Sequence, residues 1–195
     1  MPKETKREAR RQQKRRERRR TYLIWGGVGL LAVIGIGWIG SRVFRPAAGE
    51  ATPLMDATHI AEGTNPGDYN SDPPTSGPHY PSEYQARFYE EADLPGLAPF
   101  HEGFLVHNLE HGYVIFWYNC DLLDETGCTN LKEQIKTTMD GLGGAKLIAY
   151  PWPSLDVPLV MTSWGRLQRF ETFDLEQAKA FYRANLNRAP EPNAP

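Results

Sequence analysis

The polarity of the chain changes abruptly near residue 21. Residues 1–20 carry 11 Lys and Arg against 3 Glu, and residues 22–40 then form a run of 19 positions without a charge. A helix of about 20 apolar residues is long enough to cross the hydrocarbon core of a bilayer. The pattern therefore predicts a basic tail over residues 1–20 and a single transmembrane helix over residues 21–43.

The charge flanking the apolar run predicts its orientation. Lys and Arg concentrate on the cytoplasmic side of membrane spans, so we expect the N-terminus inside the cell and the rest of the chain outside the cytoplasmic membrane. The lipid bilayer is then the first expected partner. A signal peptide cut near Ala47-Ala48-Gly49 is the alternative, and it also places the folded part outside.

Beyond the apolar run, the hydrophobic positions predict one α+β domain over residues 58–187. After a tether at 44–57 come an ordered, Pro- and Gly-rich loop at 59–81 and a short helix at 82–92. Apolar and β-branched runs predict strands, and helical spacing predicts helices. The strands are expected at 112–118, 146–150, 157–164 and 167–173, and the later helices at 129–142 and from Asp174 to about Leu186. We expect helices packed on one face of a small mixed sheet, then a flexible tail at 188–195.

Charge and cysteine usage narrow the function of this domain. Residues 46–195 carry 21 Asp and Glu against 9 Lys and Arg, so no nucleic-acid partner is expected. Cys120 and Cys128 are the only cysteines, and an even count in an oxidising compartment predicts one disulfide between them.

The five histidines provide the candidate chemistry. His107 and His111 are four residues apart, so a helix would place both imidazoles on one face, where they could bind one metal ion. His79, in the rigid loop, is the third predicted ligand. Imidazole suits zinc or copper, and the single ion expected here is one of these. His59 and His101 are expected to pack without binding, so that His107→Ala should abolish binding and His59→Ala should not.

Two other functions remain open at this point. His107-x-x-Glu110-His111 fits the inverted pattern of zinc proteases, with Glu110 as the catalytic base of a metal-dependent hydrolase. Alternatively, the histidine loops recognise another envelope protein without a metal. Since the five-residue motif is weak, we expect a binding protein rather than an enzyme. Met161 is expected to be a core residue rather than a copper ligand.

Three blocks of the chain resemble a known bacterial family. YNSDPPTSGPHYP, VHNLEHGYVIFWYNC and MTSWGR occur in this order, and together they resemble the family catalogued as domain of unknown function 3105. The resemblance covers roughly residues 58–187. It implies a shared fold and an envelope location with an N-terminal membrane segment, and it implies no reaction.

Overall fold

The structure is a computed structural model that describes residues 24–33, 47–96 and 99–193. It divides into two units, Met1–Pro46 and Ala47–Pro195. In the first unit, residues 24–33 are helical. Within the described part of the chain, no helix is both long and apolar enough to cross a membrane. The predicted basic tail, and residues 21–23 and 34–43 of the predicted span, lie outside the described residues.

A five-stranded mixed sheet is the centre of the second unit. The strands are β1 Glu50–Ala51, β2 Val114–Tyr118, β3 Leu147–Pro151, β4 Leu159–Ser163 and β5 Arg166–Phe170. Their order in the sheet is β1-β5-β4-β2-β3. Only the β2–β3 pair is parallel, since a helix connects these two strands, and the other pairs are antiparallel.

Three helices pack on the sheet: α1 His101–Glu110, α2 Glu125–Gly141 and α3 Leu175–Asn185. Asp124 caps α2 by accepting a hydrogen bond from the Gly127 backbone N–H, and Asp174 caps α3 in the same way at Glu176 and Gln177. The predicted start of the last helix at Asp174 is confirmed. The α+β class and the mixed sheet are confirmed as well.

Helices cover both faces of the sheet, and not one face as the sequence suggested. Side chains alternate along β2, so that Phe116 packs with the apolar faces of α2 and α3, whereas Trp117 packs with Leu105 and Leu109 of α1. All five residues of β2 are buried. In a strand that is buried on both faces, apolar residues do not alternate with polar ones. The continuous apolar run at 112–118 is typical of such a strand.

The domain extends further in both directions than predicted. The tether expected at 44–57 includes β1, which pairs with β5, and its residues 44–46 lie outside the described residues. At the other end, the Glu191 backbone N–H donates to the Glu110 carbonyl at 3.0 Å, so the expected tail contacts the domain up to this point. The expected helix at 82–92 is wrong. Phe88 instead forms a bridge to Ala149, and a 3-10 helix covers Glu91–Gly96.

Cys120 and Cys128 are joined in a disulfide, as predicted. Their Cα atoms are 5.1 Å apart, within the range that a disulfide requires. The bond connects the 3-10 turn Cys120–Leu122, after β2, to the first turn of α2.

The contact between the Pro- and Gly-rich loop and α1 fixes the position of this helix. Tyr80 is fully buried, and its backbone N–H donates to the Gly103 carbonyl at 3.1 Å. The Tyr80 ring lies directly against Gly103, where a Cβ atom would come within 2.5 Å of it. Only glycine allows the ring and the helix to approach so closely.

We expect Gly103→Ala to lower the free energy of unfolding by about 2 kcal/mol, because the added methyl group overlaps a buried ring that has no room to move. Urea denaturation of the full-length chain measures this. Gly141→Ala is the matched control, since a Cβ atom at this helical position meets nothing within 4 Å. This control should be neutral or up to about 1 kcal/mol more stable. Equal effects at both positions would contradict the close packing of Tyr80 on α1.

Replacing both Cys120 and Cys128 by Ser should lower the free energy of unfolding by about 2–3 kcal/mol, because the disulfide closes a short loop in the unfolded chain. Urea denaturation is again the measurement, and the wild-type protein in reductant is the control. The reduced wild type should have the same free energy of unfolding as the double variant. If reductant also destabilises the variant, the loss of stability does not come from the disulfide.

Candidate metal centre

Two loop segments pair to place the first two histidines side by side. The Ile60 backbone N–H donates to the His79 carbonyl at 2.8 Å, and the His79 N–H donates to the Thr58 carbonyl at 3.0 Å. These bonds form a parallel bridge between His59 and His79, whose ring centroids are 4.7 Å apart. The predicted loop is therefore ordered, and its order brings together two residues that are distant in sequence.

Partly buried hydrogen bonds hold the loop around His79. The Ser76 hydroxyl accepts from the Met55 backbone N–H at 3.0 Å, and the Tyr69 hydroxyl donates to the Pro78 carbonyl at 2.7 Å. Ser76 is fully buried, and so is His79. Because its backbone is bonded on both sides, the loop presents the His79 ring in one orientation.

Helix α1 supplies the other side of the site. The segment around His107, whose helical form was a condition of the predicted metal site, does form α1, and Gly112 follows its end with φ +83°. His107 and Glu110 are one turn apart and both are buried, with 6% and 4% of their surface exposed. The α1 residues 103–110 are all buried, so His107, Asn108 and Glu110 lie in the protein interior rather than in solvent.

Three imidazoles converge on a single carboxylate oxygen, Glu110 Oε2. His79 Nε2 lies at 2.9 Å from this oxygen, His59 Nε2 at 3.7 Å and His107 Nδ1 at 4.0 Å. One ligand atom from each of these four residues lies within 4.8 Å of all the others. The His59 side chain is half exposed, which leaves the group open to solvent on one side.

The contact between the His79 ring and Glu110 needs a proton or a metal ion to be favourable. His79 Nδ1 is 2.8 Å from the Gly77 carbonyl, which can only accept, so we assign the proton to Nδ1. The Nε2 of a neutral ring is then an acceptor that faces a carboxylate, which is an acceptor too. A proton or a metal ion is needed to make this contact favourable. The fixing of a ring by a backbone carbonyl at its other nitrogen is common among metal-binding histidines.

One ring nitrogen of His107 is buried without a hydrogen-bond partner. This nitrogen, Nδ1, makes no hydrogen bond in the structure, although it is shielded from solvent. Burial, together with the neighbouring imidazoles of His111, His79 and His59, lowers the pKa of His107 to about 4. The ring therefore stays neutral at physiological pH, which is the form that binds metals.

The structure separates the three histidines that the sequence had grouped. His107 and His111 are adjacent, with ring centroids 4.3 Å apart, and His79 lies near His107 at 5.3 Å. Among the described residues, however, His79 and His111 share no candidate metal cluster. His59 takes the place expected for His111. Its position 20 residues before His79, in an irregular loop, gave no spacing signal that could have revealed it.

The remaining candidates lie outside the group. His101 accepts from or donates to the Tyr84 hydroxyl at 3.0 Å, and burial lowers its pKa, as expected for a packing residue. Met161 is fully buried in the core between the sheet and α2 and α3, which confirms the prediction for it. Between His107 and Glu110, the Asn108 side chain accepts a hydrogen bond from the Tyr84 backbone N–H and donates one to the Tyr84 carbonyl.

Comparison with known proteins places the domain in a family. No curated protein and no solved structure gives a match to the chain. The profile of one family matches residues 59–195, which is most of the chain and includes all four residues of the histidine group. The chain therefore belongs to the family described as "Protein of unknown function (DUF3105)".

Proposed function

We propose that the domain binds a divalent metal ion through His59, His79, His107 and Glu110. The observation that carries this proposal is the convergence of three imidazole nitrogens within 4.0 Å of Glu110 Oε2. Two of these nitrogen atoms lack a hydrogen-bond donor or acceptor that suits a neutral imidazole ring. His79 Nε2 faces an acceptor, and His107 Nδ1 has no hydrogen bond. A metal ion would satisfy both.

The spacing of the four ligand atoms is close to that of a metal site. Tetrahedral zinc with ligand bonds of about 2.0–2.1 Å separates its ligand atoms by about 3.3 Å. Here the candidate atoms lie between 2.9 Å, for His79 and Glu110, and 4.8 Å from one another. Small side-chain rotations suffice to bring them around one ion. The half-exposed His59 is the ligand with the most freedom to rotate.

Three nitrogens and one oxygen favour zinc or copper(II) over copper(I). Copper(I) prefers sulfur ligands. Met161 is in the core and both cysteines form the disulfide, so these residues contribute no sulfur ligand. The bound ion is therefore expected to be a divalent ion of the zinc and copper(II) class.

A hydrolase that uses Glu110 as its base has less support. In that mechanism, a carboxylate must be free to take a proton from metal-bound water. The carboxylate of Glu110 instead contacts the His79 ring at 2.9 Å. A binding function without turnover fits this contact better. In a metal-free interaction module, the same contact would be a structural ion pair between a protonated His79 and Glu110.

We also propose that the domain lies outside the cytoplasmic membrane, anchored by one N-terminal span. The support comes from the sequence: 11 basic residues before 19 uncharged positions, and an acidic region after them. The disulfide between Cys120 and Cys128 is consistent with an oxidising compartment.

The metal proposal predicts that His107→Ala and His59→Ala both weaken zinc binding by at least about 100-fold, since each removes a ligand, and loss of even an outer-shell partner costs about 10–100-fold. Isothermal titration of the chelator-treated full-length protein with zinc measures the affinity. His101→Ala is the matched control, because His101 lies on the same helix and outside the group.

The control should bind zinc like the wild type. His59→Ala is especially informative, since a half-exposed side chain can be removed without loss of the fold. If the wild-type protein binds no zinc or copper(II), or if His59→Ala and His107→Ala bind as tightly as the wild type, the metal proposal is wrong. The metal-free interaction module would then be favoured.

The topology proposal predicts that protease added to intact spheroplasts digests the part of the chain after Pro46. Immunoblotting for a C-terminal tag follows the digestion, and a cytoplasmic protein is the control for intact cells. Protection of the domain until the cells are lysed would contradict the proposed orientation.

A further inference from the structure

The three imidazole rings of the histidine group form a nearly regular triangle. The ring centroids of His59 and His79 are 4.7 Å apart, those of His59 and His107 are 5.3 Å apart, and those of His79 and His107 are also 5.3 Å apart. The longest side of the triangle is thus only about one-eighth longer than the shortest. Because each ring carries one candidate ligand nitrogen, the triangle shows how the ligands are spread around a common ion.

Tetrahedral and square-planar coordination predict different triangles. For an ion on the axis of the ligand nitrogen, at a bond length of about 2.0–2.1 Å, the ring centroid lies about 3.2 Å from the ion. Three rings in tetrahedral positions then have centroids about 5.2 Å apart, with all three distances equal. In a square plane, two distances are about 4.5 Å and the third, across the ion, is about 6.4 Å. The observed distances agree with the tetrahedral arrangement, since no pair of rings shows the long distance of the square plane.

The Glu110 carboxylate occupies the position of a fourth ligand. Its Oε2 lies 2.9 Å from His79 Nε2, 3.7 Å from His59 Nε2 and 4.0 Å from His107 Nδ1. In a square plane, each ligand atom has two neighbours at about 2.9 Å and one opposite ligand at about 4.1 Å. Here only one of the three distances is short. Their average of about 3.5 Å is close to the value of about 3.3 Å for tetrahedral zinc.

The fold fixes the two rings that a square plane would have to move. His79 is fully buried, and its Nδ1 is bound to the Gly77 carbonyl at 2.8 Å. His107 is buried on α1. The distance of 5.3 Å between these two rings lies between the values for neighbouring and for opposite ligands of a square plane. Rotation of the half-exposed His59 changes nothing in this distance, so it cannot flatten the site.

We propose that zinc is the ion of this site and that the fold imposes tetrahedral coordination on it. This inference rests on the proposed function, since it names the metal that the site binds. Zinc has no geometric preference from its d electrons and is found in tetrahedral sites, whereas copper(II) prefers square-planar or tetragonal coordination. A site that cannot flatten therefore removes part of the affinity advantage that copper(II) has over zinc in flexible sites.

The first test is the visible spectrum of the chelator-treated full-length protein with one equivalent of cobalt(II), which replaces zinc and reports the coordination geometry. Tetrahedral cobalt(II) gives intense visible bands, whereas six-coordinate cobalt(II) gives faint ones. We expect intense bands, and one equivalent of zinc should abolish them because zinc binds such ligands more tightly than cobalt(II). His59→Ala should weaken and shift the bands, since water replaces one imidazole. His101→Ala is the matched control and should leave them unchanged, because His101 lies on the same helix and outside the group.

The second test is the electron paramagnetic resonance spectrum of the same protein with one equivalent of copper(II). A copper(II) ion that is held away from a square plane has a smaller parallel hyperfine splitting than a square-planar one, and we expect the smaller splitting.

The outcomes separate this inference from the proposed function. Faint, six-coordinate cobalt(II) bands or a square-planar copper(II) spectrum would overturn the zinc assignment, while metal binding itself would stand. If the protein binds neither zinc, cobalt(II) nor copper(II), both proposals are wrong. Cobalt(II) bands that are unchanged in His59→Ala would place the ion elsewhere and would also overturn both.

Discussion

The contact between His79 and Glu110 is the interaction on which the site depends. It joins the irregular loop at 59–81 to the end of α1, two segments that are separated by about 30 residues of chain, and it does so where both side chains are almost fully buried. A buried carboxylate is costly unless a cation or several donors compensate it. The polar interior of this region is thus stable only if a proton or a metal ion lies between the two groups.

Glycine at position 103 makes this contact possible. The Tyr80 ring packs on α1 where the helix has no side chain, and this brings the preceding residue, His79, close to the helix. The hydrogen bond from Tyr80 to the Gly103 carbonyl and the bridge between His59 and His79 then fix the loop. Packing therefore sets the geometry of the polar group, and the polar group in turn holds the end of α1.

The regular elements could be predicted from the sequence because local patterns specify them. The apolar run at 112–118 predicted β2, and Asp174 predicted the start of α3, since a cap and a buried strand each have a local signature. The tether was misjudged because β1 has only two residues and depends on pairing with β5. Coverage of both sheet faces is also a tertiary property, which no single segment reveals.

The candidate site could be predicted only in part, because it too depends on tertiary contacts as well as on local patterns. Helical spacing correctly placed His107 and His111 next to each other, and Glu110 was recognised through its motif. The spacing could not show which neighbours each ring would meet. His59 joins the group through a loop bridge, and this long-range contact leaves no periodic trace in the sequence.

The distribution of the proposed ligands along the chain would couple metal binding to folding. His59 and His79 come from the loop, while His107 and Glu110 come from α1, so an unfolded chain would hold these groups far apart. An ion that binds only the assembled group stabilises the folded state by mass action, and the effect grows with its concentration relative to the dissociation constant. Without the ion, His107 Nδ1 keeps no partner in the interior. The loop around His79 is then the part of the domain whose stability should respond most strongly to the metal, because it has no regular secondary structure to hold it and reaches α1 through His79 and Tyr80.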